Sequence, residues 1–442
     1  MSRLCSASRP EPGGQALTAA DTIFALSSGR PPAAVAVVRT SGPAAFAAAE
    51  AMAGRLPAAR RAVLMTLRSP SGGAVIDRAL VLRFDRPASA TGEDVVEYQC
   101  HGGRAVVDAL LDAMTSFPGL RMAEPGEFTR RALANGRIDL TEAEGLADLL
   151  EAETESQRRA ALLMAEGGLR RRIEGWRQQL VELSARAEAA IDYVGNEDET
   201  GADETRLADE ARALAAEFGE WLTRPRAEPL KEGVRVVAAG PPNVGKSSLV
   251  NALADSDRAI VTDIPGTTRD SIEVPLSLDG VPVVLVDTAG LRDSNDVVEA
   301  IGVARAKEQI ARADVLLWLG SPADAPAHPR LVRLHAQADR RGTAPDGLLA
   351  VSAVTGAGLG ELAGRIAELA RTLLPAEGEL ALNRRQASEM EEAMAVLDHG
   401  GGDLVRTAEG LRLARAAFDR LSGRAGVEDM LDALFGRFCL GK

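Results

Sequence analysis

Cysteine is rare in this chain of 442 residues. The only three are Cys5, Cys100 and Cys439. An odd number with no CxxC pair and no Cys/His cluster excludes a disulfide framework and a structural zinc site, and points to a reducing, cytosolic compartment. No run of about 18 apolar residues occurs, which excludes a membrane-spanning helix. The first residues carry Arg3 and Arg9 but no apolar stretch, so they are not a secretory signal; residues 1–20 are expected to form a disordered tail, with a short organelle-targeting presequence as the alternative. Basic excess is missing too: 51 Lys+Arg stand against 64 Asp+Glu, a net charge of −13. That balance opposes nonspecific coating of nucleic acid, since phosphates are neutralised by Lys and Arg, but leaves room for a local basic patch. Aromatics are only 3%, yet hydrophobic residues reach 46%, enough to exclude a disordered or collagen-like chain. The length suits about three domains.

The pattern along the chain changes character three times. Over residues 21–136, short β-like runs at Ala34–Val38, Val63–Leu67 and Ala79–Phe84 alternate with turn signals such as Ser71-Gly72-Gly73 and Arg86-Pro87. A helical pattern follows Gly102-Gly103, with Val106, Val107, Leu110, Leu111 and Met114 on one side. This predicts an α+β domain. Residues 137–231 are rich in Ala, Leu, Glu and Arg at amphipathic spacing, which predicts helices. Residues 232–375 alternate strands with helices, the signature of a parallel sheet covered on both faces. Residues 376–442 return to helix. The expected architecture is multidomain α/β and α: an amino-terminal α+β domain, then one helical domain built from two chain segments with an α/β domain inserted into it.

The chemistry concentrates in the inserted domain. The strand-like Val234–Ala239 runs into Gly240-Pro241-Pro242-Asn243-Val244-Gly245-Lys246-Ser247, followed by the helical Ser248–Leu253. This is G-x-x-x-x-G-K-S in its required strand–loop–helix setting. Backbone N–H groups and the helix N-terminus cradle phosphates, Lys246 places a charge on the β- and γ-phosphates, and Ser247 offers a hydroxyl to Mg²⁺. Downstream, Gly266-Thr267-Thr268-Arg269-Asp270 brings Thr268 as a second hydroxyl for Mg²⁺ and the γ-phosphate. Val283–Val286 then ends in Asp287-Thr288-Ala289-Gly290, whose Asp holds Mg²⁺ through water and whose Gly290 amide senses the γ-phosphate. Order and spacing match a P-loop GTPase.

Two of the expected parts are missing. The residue after Gly290 is Leu291, not a Gln that would orient the attacking water, so Asp293, Asp296 and Glu299 become candidates, or else simply helix-start acids. The guanine motif N-K-x-D is absent as well. The nearest run, His335-Ala336-Gln337-Ala338-Asp339, keeps only the Asp, whose carboxylate suits the two N–H groups of guanine. Ser352-Ala353-Val354-Thr355-Gly356 reads as a base-contacting loop. Three prolines between Trp318 and Leu331 predict that one helix of the usual fold is reduced.

Outside this domain the residues alone say less. Arg39 and Arg137 read as ordinary surface ion pairs. Cys100 and His101 read as core packing. Arg158, Arg159, Arg170, Arg171 and Arg172 read either as a docking patch for RNA or as a solvated helix face.

The chain resembles the MnmE (TrmE) family of tRNA-modifying GTPases over nearly its whole length after residue 20. The resemblance rests on Gly240–Leu249, Thr262–Asp270 and Asp287–Arg292, on Thr91–Gly103, on Pro125–Thr129 with Asn135–Leu140, and on the ending Phe438-Cys439-Leu440-Gly441-Lys442. It implies a GTP hydrolase that acts with an FAD-dependent partner, MnmG, to add an aminomethyl-type group to carbon 5 of the wobble uridine of certain tRNAs. The one-carbon unit would come from methylene-tetrahydrofolate. It implies a folate-binding, homodimer-forming amino-terminal domain, with Arg39, Glu97, Arg137 and Lys442 on the folate. It implies K⁺ stimulation through Asn243, Thr262, Ile264 and Thr267, and Glu299 as the water-orienting residue. The nucleotide would touch Asn243, Val244, Gly245, Lys246, Ser247, Ser248, Thr262, Asp263, Ile264, Pro265, Gly266, Thr267, Thr268, Asp287, Thr288, Ala289, Gly290, Asp339, Ser352 and Ala353. Cys439 would lie near the folate or tRNA, as a nucleophile or as a structural residue. The alternative is a ribosome-assembly or RNA-chaperone GTPase switch without modification chemistry.

Overall fold

The structure, a computed structural model, describes residues 21–192, 197–256, 259–261, 272–288, 307–398, 403–425, 428–436, 438 and 441. The chain divides into two compact units, residues 1–138 with 428–442, and residues 139–427.

The amino-terminal unit is built on a six-stranded sheet. Its strands are β1 (Thr22–Leu26), β2 (Val35–Ser41), β3 (Val63–Arg68), β4 (Val75–Phe84), β5 (Val95–His101) and β6 (Leu120–Met122), in the order β3-β4-β5-β2-β1-β6. All neighbours are antiparallel except β1 and β6. Strand alternation sorts the side chains onto two faces. Val38 on β2 and Val96, Tyr98 and Cys100 on β5 bury against helix Ala45–Ala53 and helix Arg104–Thr115, which contribute Met52, Val107, Leu110 and Met114. Arg39 and Glu97, one residue out of phase with that core, are cross-strand partners. A smaller apolar group of Ile23, Ala25, Ala123 and Phe128 packs separately, and the Arg39 guanidinium lies 5.7 Å from the Phe128 ring centre.

The sequence assigns 376–442 to the helical domain. Helix Glu428–Phe435 instead groups with the amino-terminal unit. Gly126, at φ 72°, explains how it seats: a Cβ there would lie 2.5 Å from the Phe435 carbonyl oxygen. Arg130 and Asp432 close the same contact at 2.6 Å. Beyond it, the Ser27 hydroxyl donates to the Gly441 carbonyl at 3.0 Å, holding the end of the chain against the residues that follow β1.

The second unit joins a helical bundle to the inserted α/β domain. Helices Gly168–Asp192 and Glu197–Leu222 from before the insertion bury one core with Arg384–Asp398 and Leu404–Leu421 from after it. At its centre Trp176 stacks edge-on against Phe218, Trp221 and Phe418, at centroid distances of 5.1 to 5.9 Å. The arginines of the proposed RNA patch are engaged locally. Arg158 and Arg159 pair with Glu155, Arg170 with Glu142 and Arg172 with Glu217, while Arg171 donates to the Glu166 carbonyl.

The inserted domain carries a seven-stranded sheet: β7 (Val234–Ala239), β8 (Ala259–Val261), β9 (Ile272–Leu278), β10 (Val281–Asp287), β11 (Val315–Trp318), β12 (Leu331–Ala336) and β13 (Leu349–Val351). The order is β13-β12-β11-β7-β10-β9-β8. The expectation of a wholly parallel sheet fails at one edge. β9 and β10 form an antiparallel hairpin, because Asp279 and Gly280 both take positive φ (48° and 78°) and close a two-residue turn. Between β11 and β12 a short 3₁₀ turn, Pro322–Asp324, stands where a helix would cross, as the three prolines predict.

Candidate functional site

The phosphate loop follows the central strand. β7 is buried and lies between β10 and β11, so its carboxyl end opens at the middle of the sheet, where α/β folds bind ligands. Asn243 takes a left-handed conformation (φ 60°), and Gly245 (φ 99°) precedes helix Lys246–Ala254. Lys246 is 5% exposed, and its Nζ donates to the carbonyls of Gly240 and Pro241 at 3.1 and 2.8 Å. The lysine thus lies across its own loop, with its charge where phosphates would bridge the N–H groups. Val244 is buried and anchors the loop, while Asn243, Ser247 and Ser248 face solvent. On the adjacent strand, Asp287 is 1% exposed at the end of β10 and pairs in register with Ala238. The Thr288 hydroxyl donates to the Ala238 carbonyl at 2.8 Å. A hydroxyl at the helix start and a carboxylate at the strand end are hard oxygen donors of the kind Mg²⁺ takes.

The base end is a cleft of about 520 Å³, reached from the same loop. Val244, Gly245 and Ser248 form one wall; Gln337, Asp339 and Ala353 stand opposite. Asp339 Oδ1 accepts from the Ser352 hydroxyl at 2.6 Å. Ser352 is 1% exposed, and its hydroxyl also accepts from the Thr355 N–H at 3.2 Å. Gly358 ends this turn at φ 76°, where a Cβ would lie 2.0 Å from the Ala350 carbonyl oxygen. One residue here escapes sequence reading. Gln337, in left-handed conformation (φ 58°), reaches across to the phosphate loop, its amide 3.5 Å from the Asn243 carbonyl. Its position in the degraded guanine motif is the only signal that marks it.

In the amino-terminal unit, Arg39 and Glu97 form an ion pair at 2.7 Å, each less than a fifth exposed. The Arg137 Nε donates to the Ser89 carbonyl at 3.2 Å. The Ser89–Glu93 loop that meets Arg137 is itself tied down, since Ser41 Oγ donates to Glu93 at 2.6 Å and the Asn135 amide to the Thr91 carbonyl at 2.8 Å. Behind it lies a charge network that the sequence does not announce. Arg131 touches Asp21, Glu93 and Glu127; Arg121 touches Asp21 and Glu127. Glu127, the acid of the Pro-Gly-Glu-Phe-Thr run, is 2% exposed. Burial alone would raise its carboxyl, but Arg121, the Glu124 N–H and Arg131 outweigh burial and hold it below its ordinary range. Asp21 is lowered in the same way: burial opposes, and Arg121 and Arg131 prevail.

Two further expectations resolve differently. Cys100 is buried, and burial raises its thiol. His101, read as core, is exposed and pairs with Asp77 at 2.8 Å, because it ends β5 on the outward phase of the strand. Thr262, Asp263, Ile264, Pro265, Gly266, Thr267, Thr268, Ala289, Gly290, Glu299, Cys439 and Lys442 lie outside the described residues.

A strand–loop–helix phosphate cradle in the middle of an α/β sheet, with a carboxylate on the next strand and a separate base cleft, defines a P-loop nucleotide-binding protein. Comparison with known proteins narrows the class. The model described as GTP-binding protein TrmE N-terminus matches residues 22–137, and that of the MnmE helical domain matches residues 140–439. A tRNA modification GTPase MnmE from Novosphingobium aromaticivorans is 52% identical over 435 residues, 96% of this chain and 100% of that protein. Its namesake from Rhizorhabdus wittichii is 55% identical over 433 residues, 96% of this chain and 97% of that protein. The chain belongs to the MnmE family of tRNA modification GTPases.

Proposed function

We propose that this protein hydrolyses GTP to GDP in the cleft between the phosphate loop and Asp339, and that the hydrolysis serves modification of tRNA. The observation that carries this reading is that one cleft joins the phosphate loop, at Val244, Gly245 and Ser248, to Asp339, in a chain whose relatives are named tRNA modification GTPases. Lys246 exchanges the Gly240 and Pro241 carbonyls for β- and γ-phosphate oxygens, and backbone N–H groups after Gly240 complete the cradle. Ser247 and Thr268 would hold Mg²⁺, with Asp287 acting through water. Bound Mg²⁺ supplies charge neutralisation at the phosphates. Asn243, Thr262, Ile264 and Thr267 would hold K⁺, which would supply charge neutralisation of the kind an arginine finger gives elsewhere, and Glu299 would orient the attacking water. The solvent-facing Asn243 supports the first of these.

The modification itself is the addition of an aminomethyl-type group to carbon 5 of a wobble uridine, together with the flavoprotein MnmG and a methylene-tetrahydrofolate. Arg39, Glu97, Arg137 and Lys442 bind the folate: cations meet its carboxylates, and Glu97 accepts from pterin N–H groups. The Arg39–Glu97 pair, and the hydrogen bond that holds Gly441 beside the end of β1, the strand paired with β2, support a site in this unit. The exposed register partners Leu64 and Leu80 support a homodimer through the same unit. Among the described residues no helix is long and apolar enough to cross a membrane, and we place the protein in the cytoplasm. GTP turnover compared in K⁺ and Na⁺ tests the hydrolytic reading. Faster turnover in K⁺ is expected; equal rates would remove the K⁺ loop.

A further inference from the structure

Guanine offers two edges to a protein. One presents the N1–H and 2-amino donors, and the other presents the O6 and N7 acceptors. The cleft meets the first edge with Asp339, whose carboxylate Ser352 holds at 2.6 Å. For the second edge the guanine motif would place an Asn amide at the end of β12, but this chain has Ala336 there, 4% exposed and without a polar side-chain atom. Two long polar side chains line the same cleft. The Gln337 amide lies against the Asn243 carbonyl, and Arg340 sits 3.8 Å from the far oxygen of Asp339.

Building on the GTP reading above, we infer that this cleft recognises guanine through Asp339 on its donor edge and leaves N7 unread. Selectivity then rests on Asp339 as the specificity residue, with Ser352 as its positioning residue. Gln337 replaces the motif's lysine as a tether between base cleft and phosphate loop, and carries no charge into the site.

Binding of diphosphates to the full chain, measured by calorimetry with Mg²⁺ present, separates the edges. GDP is expected to bind well above ADP. Inosine diphosphate, which lacks only the 2-amino group, should bind about tenfold more weakly than GDP, the size of a lost bond to a charged acceptor. 7-Deaza-GDP, with a C–H in place of N7, should bind within about twofold of GDP. Ala336→Asn should create a preference of about fivefold for GDP over its 7-deaza analogue. Should that variant not fold, the analogue series on the unaltered chain still decides. A tenfold loss with 7-deaza-GDP would overturn the unread N7 while leaving the guanine reading in place. ADP binding as tightly as GDP, or no binding of either, would remove the guanine reading itself.

Discussion

In the inserted domain Lys246 rests on neutral carbonyls of its own loop, whereas in the amino-terminal unit Arg39 is already paired with Glu97, and Arg121 and Arg131 with three acids. A nucleotide arriving at the first site trades weak backbone contacts for phosphate charge. A folate arriving at the second has to share or displace existing ion pairs. The two regions thus use charge differently: the described hydrogen bonds of Lys246 stay within its own loop, whereas in the amino-terminal unit most of the charge joins separate elements of the fold. Removing the Lys246 charge should therefore cost activity, and removing a member of the Asp21–Arg121–Glu127–Arg131 network should cost stability.

The largest expected effect is Lys246→Ala, which should lower GTP turnover by about 10³-fold, on the scale of losing one preorganised charge contact to the transferring phosphoryl group. The melting temperature should move little, since the described hydrogen bonds of Lys246 stay within its own loop. A large drop in melting temperature would break the contrast. Next comes Glu127→Gln, expected to cost about 3 kcal/mol of stability, because Arg131 then stays buried with its compensation reduced. Hydrogen exchange of β1 would report it, while GTP turnover stays near normal. The same network sets a pH dependence. The folded-state values of Glu127 and Asp21 lie below their ordinary 4.5 and 3.8. Their stabilisation is present above about pH 4.5 and is lost as pH falls through the depressed folded values. Protection of β1 should fall with acidification, and less steeply in Glu127→Gln. Arg39→Ala should weaken binding of a tetrahydrofolate by about tenfold at little cost in stability, as suits a partly exposed pair. Unchanged folate binding would return Arg39 to a purely structural ion pair. Smallest is Ser352→Ala, expected to weaken GDP by about fivefold through a less well held Asp339.

What was legible in the sequence follows the same division. The phosphate loop could be read because its chemistry lies in the backbone, and only a fixed spacing of glycines, Lys and Ser gives that backbone path. The pairing of Arg39 with Glu97 was legible only in part, since an ion pair is the ordinary expectation for Arg39 but its partner depends on the sheet order that sets β2 beside β5. The charge network could not be read, because its members, Asp21, Glu93, Arg121, Glu127 and Arg131, come from separate elements joined only by sheet order. The docking of Glu428–Phe435 rests on a long-range contact at Gly126 that no helical periodicity announces. The antiparallel edge of the second sheet was hidden for a local reason: Asp279-Gly280 is a turn signal inside an otherwise alternating α/β pattern. Gln337 was visible only as a departure from a motif, and its reach to Asn243 depends on a backbone conformation that the residue type does not favour.

The measurement that tests the central claim most directly is nucleoside analysis of wobble uridines from a strain lacking this chain, complemented with the unaltered protein or with Lys246→Ala. Loss of the carbon-5 modification in the deletion, restored by the unaltered chain and not by Lys246→Ala, is the expected result. Fully modified wobble uridines in the deletion strain would contradict it.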